Sequence, residues 1–282
     1  MTALRQELPR KLYFGLLVYL TAAWLAVIAV DLVGVGGLRG DRLVGLTDRP
    51  LLFVFLFGEG GPTEILQWCC LIVVIIVLLR ELRTAGVAVE PHHRLATLVG
   101  FVGVTLMFLE DTLNVRHFLT GGLVGPLLGA SAESHRFAIV TEFAFYALLG
   151  GTMLAFFVMI FPRLSRTAHG GLFLLMGYVL YAVAAISSAS RHIGRWYTTV
   201  GDAILSRLSP DAVAEFDQWL IALRGASDVF TPGFYFMDFA VEETIELLGA
   251  GALMAAVLYL RLDTARSSST EDSGGSVLGK KQ

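Results

Sequence analysis

Six residues interrupt otherwise apolar stretches and carry the groups that bind metals: Glu110, His117, Glu142, His192, Glu242 and Glu246. Carboxylate oxygens joined by one or two imidazoles suit iron, manganese or zinc, and helical bundles hold such metals on facing helices. These six are the expected ligands of a mono- or dinuclear divalent-metal site. Glu243 and Asp111, each next to a ligand in sequence, are the expected acid/base groups. A metal there would activate water or polarise a phosphoryl or acyl oxygen. Glu64, Gln67, Asn114, Ser188, Arg191 and Asp238 are the expected polar lining of the same cavity.

Spacing puts these groups on shared helix faces. Glu110, Asn114 and His117 fall at i, i+4 and i+7; Glu64 and Gln67 at i and i+3; Ser188 and His192, like Ser187 and Arg191, at i and i+4. Glu242, Glu243 and Glu246 crowd three carboxylates into two turns. Such a group must find a cation, arginines or shared protons.

Each set also has a purely structural reading. Glu64 follows Pro62 and Thr63 at a helix start, where the macrodipole favours an acid. Glu110 and Asp111 could pair with Arg116, Arg136 or Arg191 and fix helices to one another. His117 and His192 could lie at the membrane interface. Cys69 and Cys70, the two cysteines of the chain, read as packing thiols and make no disulfide framework.

The elements that position these residues must be membrane helices. Of 282 residues, 55% are hydrophobic and only 16% charged, with a mean hydropathy of +0.69. A soluble domain runs about 25% charged, so this chain cannot cover a water-facing surface. The composition excludes a disordered or collagen-like chain. A net charge of −3 without a basic block excludes nucleic acid as a partner. A span needs about 20 apolar residues, and six stretches qualify, near 12–31, 62–82, 95–116, 137–161, 170–191 and 236–260. The expected fold is an all-α integral membrane protein, a six-transmembrane-helix bundle. Residues 1–262 form one polytopic domain, and 263–282 a disordered cytoplasmic tail.

Basic residues set the orientation. With the N-terminus cytoplasmic, Arg5, Arg10, Lys11, Arg80, Arg83, Arg94, Arg163, Arg166 and Arg261 flank inner helix ends. Both termini are then cytoplasmic, and the protein is expected in the plasma (inner) membrane. The outer loops are long. Segment 32–61 is glycine-rich, and its apolar run Leu51–Phe57 is too short to span. Segment 118–131 has glycines four apart (Gly121, Gly125, Gly129) and Pro126, which reads as a membrane-surface loop. In segment 192–235, Ser209, Pro210 and Asp211 read as N-cap, N1 proline and first-turn acid. Val213, Phe216, Leu220 and Leu223 then predict an amphipathic helix near 210–223, on the outer surface or covering the bundle.

In that topology all the polar sets fall in the outer half of the bilayer; Glu246 sits roughly 15 Å in from its helix start. Ionisable residues at such depth mark a site. The expectation is an outward-opening Glu/His-rich cavity and a metal-dependent enzyme acting on a lipid-like substrate. Two other classes stay open: an accessory or assembly subunit binding a membrane-protein partner through its outer face, and a proton or cation transporter. Against transport, the inner helix halves are nearly bare of polar groups, and no inverted repeat is visible.

Overall fold

A computed structural model describes residues 2–38, 41–84, 91–113, 115, 118, 132–167, 169–191, 194–208, 210–224 and 231–274. Among them helix dominates and no strand occurs. Six helical stretches are long and apolar enough to cross a bilayer: Glu7–Leu32, Pro62–Arg83, Pro91–Leu113, Phe143–Leu164, Gly170–Ser190 and Pro232–Thr264. Each overlaps one of the six stretches expected from composition, with ends that differ by up to six residues.

We number the α-helices in chain order. Helix α1 is Thr2–Val27, continuing through a π-turn at Ile28–Leu32. Short helices α2 (Asp41–Thr47) and α3 (Leu52–Phe57) follow. Then come α4 (Pro62–Thr84), α5 (Pro91–Leu113), α6 (Ala132–Leu164) and α7 (Gly170–Ser190). Helices α8 (Trp196–Leu205), α9 (Pro210–Arg224) and α10 (Pro232–Phe236) precede a second π-turn, Met237–Glu242, which leads into α11 (Glu243–Gly274). Helix α11 thus extends into the stretch that composition alone reads as tail. Adding a residue to an existing helix costs little compared with starting one, so a well-packed span can propagate outward.

Two compact units divide the chain. The first comprises residues 1–13, 70–179 and 250–282. Its part of α4 buries Leu71, Val74 and Leu78 on one face, the three-and-four spacing of an amphipathic helix. Helices α5 and α6 meet at Gly100, where a Cβ would come within 2.5 Å of the Phe156 ring. The absent side chain lets the two backbones approach. Toward one end, Arg261 pairs with the buried Glu81 at 2.7 Å. Nearby, Arg163 donates to Asp263 at 3.2 Å, to Thr264 at 3.0 Å and to His93 Nε2 at 2.6 Å. A guanidinium only donates, so Nε2 of His93 is the acceptor. These contacts bring the ends of α4, α5 and α6 to one level along α11.

The second unit comprises residues 14–69 and 180–249, and the short helices belong to it. Phe53 of α3 meets Phe216 of α9 and Phe236 of α10 edge-to-face, each with ring centroids 5.2 Å apart. Helix α9 is the amphipathic helix the spacing predicts. Its Phe216 and Leu220 are buried and Leu223 is exposed, so much of its apolar face is covered by protein. Ser209, its expected N-cap, and all but Phe118 of segment 118–131 lie outside the described residues. Helix α8 was not expected from the sequence; it packs on α10 through Gly201 and Gly233.

Candidate functional site

The second unit gathers the polar residues of five helix termini. Asp31, fully buried in the π-turn that ends α1, accepts from the backbone N–H of Leu52 at 2.8 Å and of Phe53 at 2.9 Å. Both donors open α3, where the first N–H groups lack partners within the helix. At the start of α4, Glu64 accepts from the Gly60 N–H. One turn on, the Gln67 amide donates to Glu246 Oε2 at 3.1 Å. Arg191, just past α7, pairs with Asp238 at 3.2 Å, and their side chains are only 13% and 22% exposed. Tyr197, near the start of α8, donates its phenol proton to Glu242 Oε2 at 2.6 Å. The Ser187 Oγ, 3.1 Å away, is a second acceptor within reach of the same hydroxyl.

The π-turn at Met237–Glu242 makes this pattern. Each π-turn inserts an extra residue into the α-helical winding, which turns the chain before it relative to the chain after it. Asp238 lies within the turn, Glu242 closes it, and Glu246 lies one α-turn beyond. The three acids consequently meet three different donors, Arg191, Tyr197 and Gln67. Of the three carboxylates that the sequence crowds into two turns, Glu242 and Glu246 meet donors from separate elements, Tyr197 and Gln67. Burial, and after it the Glu242 carboxylate, push the Tyr197 phenol above its ordinary range, so Tyr197 stays a proton donor.

Not every expected site residue can be placed in this cluster. Gln67, Arg191, Asp238, Glu242 and Glu246 are brought together pairwise, and Glu64 is held by Gly60. Ser188 is buried and Glu243 half-buried in the same unit. Glu110, buried near the end of α5, and Asp111 belong to the other unit. Asn114, His117 and His192, the side chain of Glu142, and the pairing candidates Arg116 and Arg136 lie outside the described residues or side chains. Among the described residues, no group of three or more His, Cys, Asp or Glu side chains is disposed to hold a metal ion.

Sequence reasoning missed Asp31 and Tyr197. Asp31 had a signal: an acid closing an apolar span before a glycine-rich loop. Tyr197 had a weaker one, because Tyr197, Gly201 and Leu205, the buried face of α8, include a glycine that hides the helical spacing. Trp24 of α1 also donates from Nε1 to Thr244 at 3.1 Å.

The Tyr197–Glu242 contact yields a prediction. Tyr197→Phe removes one hydroxyl from a buried carboxylate and should destabilise the protein by about 1–3 kcal/mol. Glu242→Gln keeps an acceptor of the same shape and should cost less. A double-mutant cycle on thermal midpoints should show coupling of about 1 kcal/mol or more. Strict additivity of the two changes would contradict the contact.

Compared with protein-family models, curated proteins and solved structures, the chain matches none.

Proposed function

We propose that this is a multi-pass plasma-membrane protein of accessory type, with both termini cytoplasmic. Its working part is then the set of short helices of the second unit on the outer side. One observation carries the reading: the acids suited to chemistry each hold a structural element. Asp31 fixes the start of α3, Asp238 holds Arg191 beyond α7, Glu242 holds α8, and Glu246 holds Gln67 of α4. Val200 and Ile204 of α8 and Ile221 and Leu223 of α9 are exposed and offer apolar contact to a membrane-protein partner.

The test is the native assembly. Gentle solubilisation from the source membrane followed by native mass spectrometry should give a stoichiometric complex containing a second protein. Ile204→Asp with Leu223→Asp should dissociate it without lowering the thermal midpoint. Recovery of the 30.6 kDa chain alone, or a complex indifferent to the double variant, rejects the reading. Orientation is checked separately, in a cysteine-free background, by labelling Gly37→Cys and Ala214→Cys. Both should react in intact cells; reaction only after permeabilisation reverses the topology.

A second reading rests on the Ser187–Tyr197–Glu242 chain. Two hydroxyls in line with a buried carboxylate can hold and move a proton, as an enzyme acting on a lipid-like substrate would require. A divalent metal (Fe, Mn or Zn) held by residues including His117 and His192 would add Lewis-acid chemistry. Lipid turnover by purified protein, abolished by Tyr197→Phe with the fold retained, would favour this reading over the first.

A further inference from the structure

Outward-facing stripes on three helices of the first unit end in arginine. On α4, Ile72, Ile76, Arg80 and Arg83 are exposed at spacings of four, four and three, one face of the helix. The opposite face is the buried set that ends in Glu81. On α5, exposed Val102, Leu98 and Leu95 lead back to exposed Arg94 near the helix start. On α6, exposed Leu154 and Val158 lead to Arg166 just beyond the helix end. Each stripe is therefore apolar along its length and cationic at its tip.

The three tips lie at one level, because the Glu81–Arg261 pair and the Arg163 contacts to His93 and Asp263 tie those same helix ends to α11. Those contacts also sort the charges. Glu81 is buried against Arg261 and Asp263 meets Arg163, while Arg83, Arg94 and Arg166 are exposed. Glu7 is an exposed acid in this unit and lies 4.0 Å from Arg10. Exposed arginine therefore marks the tip of each of the three stripes, the end of a span where basic residues meet the headgroups.

We infer that this end of the first unit is a binding surface for anionic phospholipids: Arg83, Arg94 and Arg166 take the phosphate headgroups, and the apolar stripes below them take the acyl chains. Arginine suits the role because its planar fork matches two phosphate oxygens at once. The adjoining apolar stripe selects a lipid in the membrane over free phosphate, which has no chain to place there. The inference is independent of the proposed accessory role, which rests on the other unit.

The experiment uses the full chain reconstituted in phosphatidylcholine vesicles with spin-labelled lipid. The motionally restricted fraction should show about a five-fold preference for phosphatidylglycerol over phosphatidylcholine, the ratio that one basic side chain at an anionic surface supplies. Changing these three arginines to glutamine, first in pairs and then together, should bring the preference to near parity. The matching three-lysine variant, which keeps charge and the topology signal, should retain most of it. Arg42→Gln with Arg207→Gln, in the other unit, should leave it unchanged. Excess inorganic phosphate should reduce it no more than chloride at the same ionic strength. Equal association of the two lipids with wild type, or a preference untouched by the glutamine pairs, overturns the inference. So does displacement by phosphate beyond the chloride control.

Discussion

Gly201→Ala should lower the thermal midpoint of the detergent-solubilised protein by about 6–12 °C. A Cβ at this position would overlap the carbonyl of Gly233 and stand 2.8 Å from its Cα. The obstruction is backbone, which cannot swing aside as the end of a side chain can. From the other side, a Cβ on Gly233 would overlap the Asp202 carboxylate and the backbone nitrogen behind it. Helices α8 and α10 touch through two missing side chains, and restoring either forces them apart. Overpacking of a well-filled contact costs about 1–3 kcal/mol and sometimes more. With backbone opposing backbone we expect about 3 kcal/mol, which gives the stated shift at about 2–4 °C per kcal/mol for a chain this long. Separation of α8 from α10 should also draw Tyr197 away from Glu242. Gly15→Ala is the control: nothing lies within 4 Å of its Cβ position, and alanine is the better helix former by about 1 kcal/mol. The same substitution should therefore have opposite signs at the two sites. An unchanged midpoint for Gly201→Ala would show that α8 and α10 are not in contact as described.

Asp31→Ala should cost about 3 kcal/mol and act first on α3. Its two carboxylate oxygens take the two N–H groups that open that six-residue helix. Hydrogen bonds to a charged group contribute about 1.5–3 kcal/mol each, against the cost of keeping the carboxylate out of water. Helix α3 is too short to persist alone. It keeps its place through this cap and through Phe53 and Phe57, both buried. Asn at position 31 preserves one acceptor and turns an NH2 toward the second N–H, so Asp31→Asn should fall between wild type and alanine. Hydrogen exchange checks the assignment: the Leu52 and Phe53 amides should lose protection in Asp31→Ala before those of α4 do. Retained protection at both amides would remove the cap from the account.

The spans were legible in the sequence because the bilayer imposes a length and a polarity that no local detail can offset. Pro62–Arg83 and Gly170–Ser190 differ by about a residue from the stretches expected from apolar length. Helix α9 was legible through its start signal and apolar spacing. Helix α8 was not, because Gly201 presents no hydrophobic side chain yet is the contact itself. The candidate site was half legible. The helical repeat correctly puts Glu242 and Glu246 on one side of the last span. It cannot say that Tyr197, from an unrecognised helix, takes one and Gln67 the other. Nor does an apolar pattern reveal a π-turn, since the extra residue changes the hydrogen-bond partner and not the composition. Asp31 and the acids of the last span sit at or beside such turns, where a uniform 3.6-residue repeat misassigns direction.

The last span is the most deeply enclosed of the six, with 67% of its apolar window buried against 39% or less for the others. It supplies the partners of Trp24, Gln67 and Glu81, residues that precede them by 220, 179 and 180 positions. A ribosome delivers these residues to the membrane in order. The early spans must therefore enter the bilayer and wait, with polar groups exposed to lipid or to the insertion machinery, until Pro232–Thr264 emerges. Assembly is completed by the end of translation and not by its beginning. A chain stopped short of Pro232 should reach the membrane and be cleared there by quality-control proteolysis, whereas one stopped after Thr264 should persist.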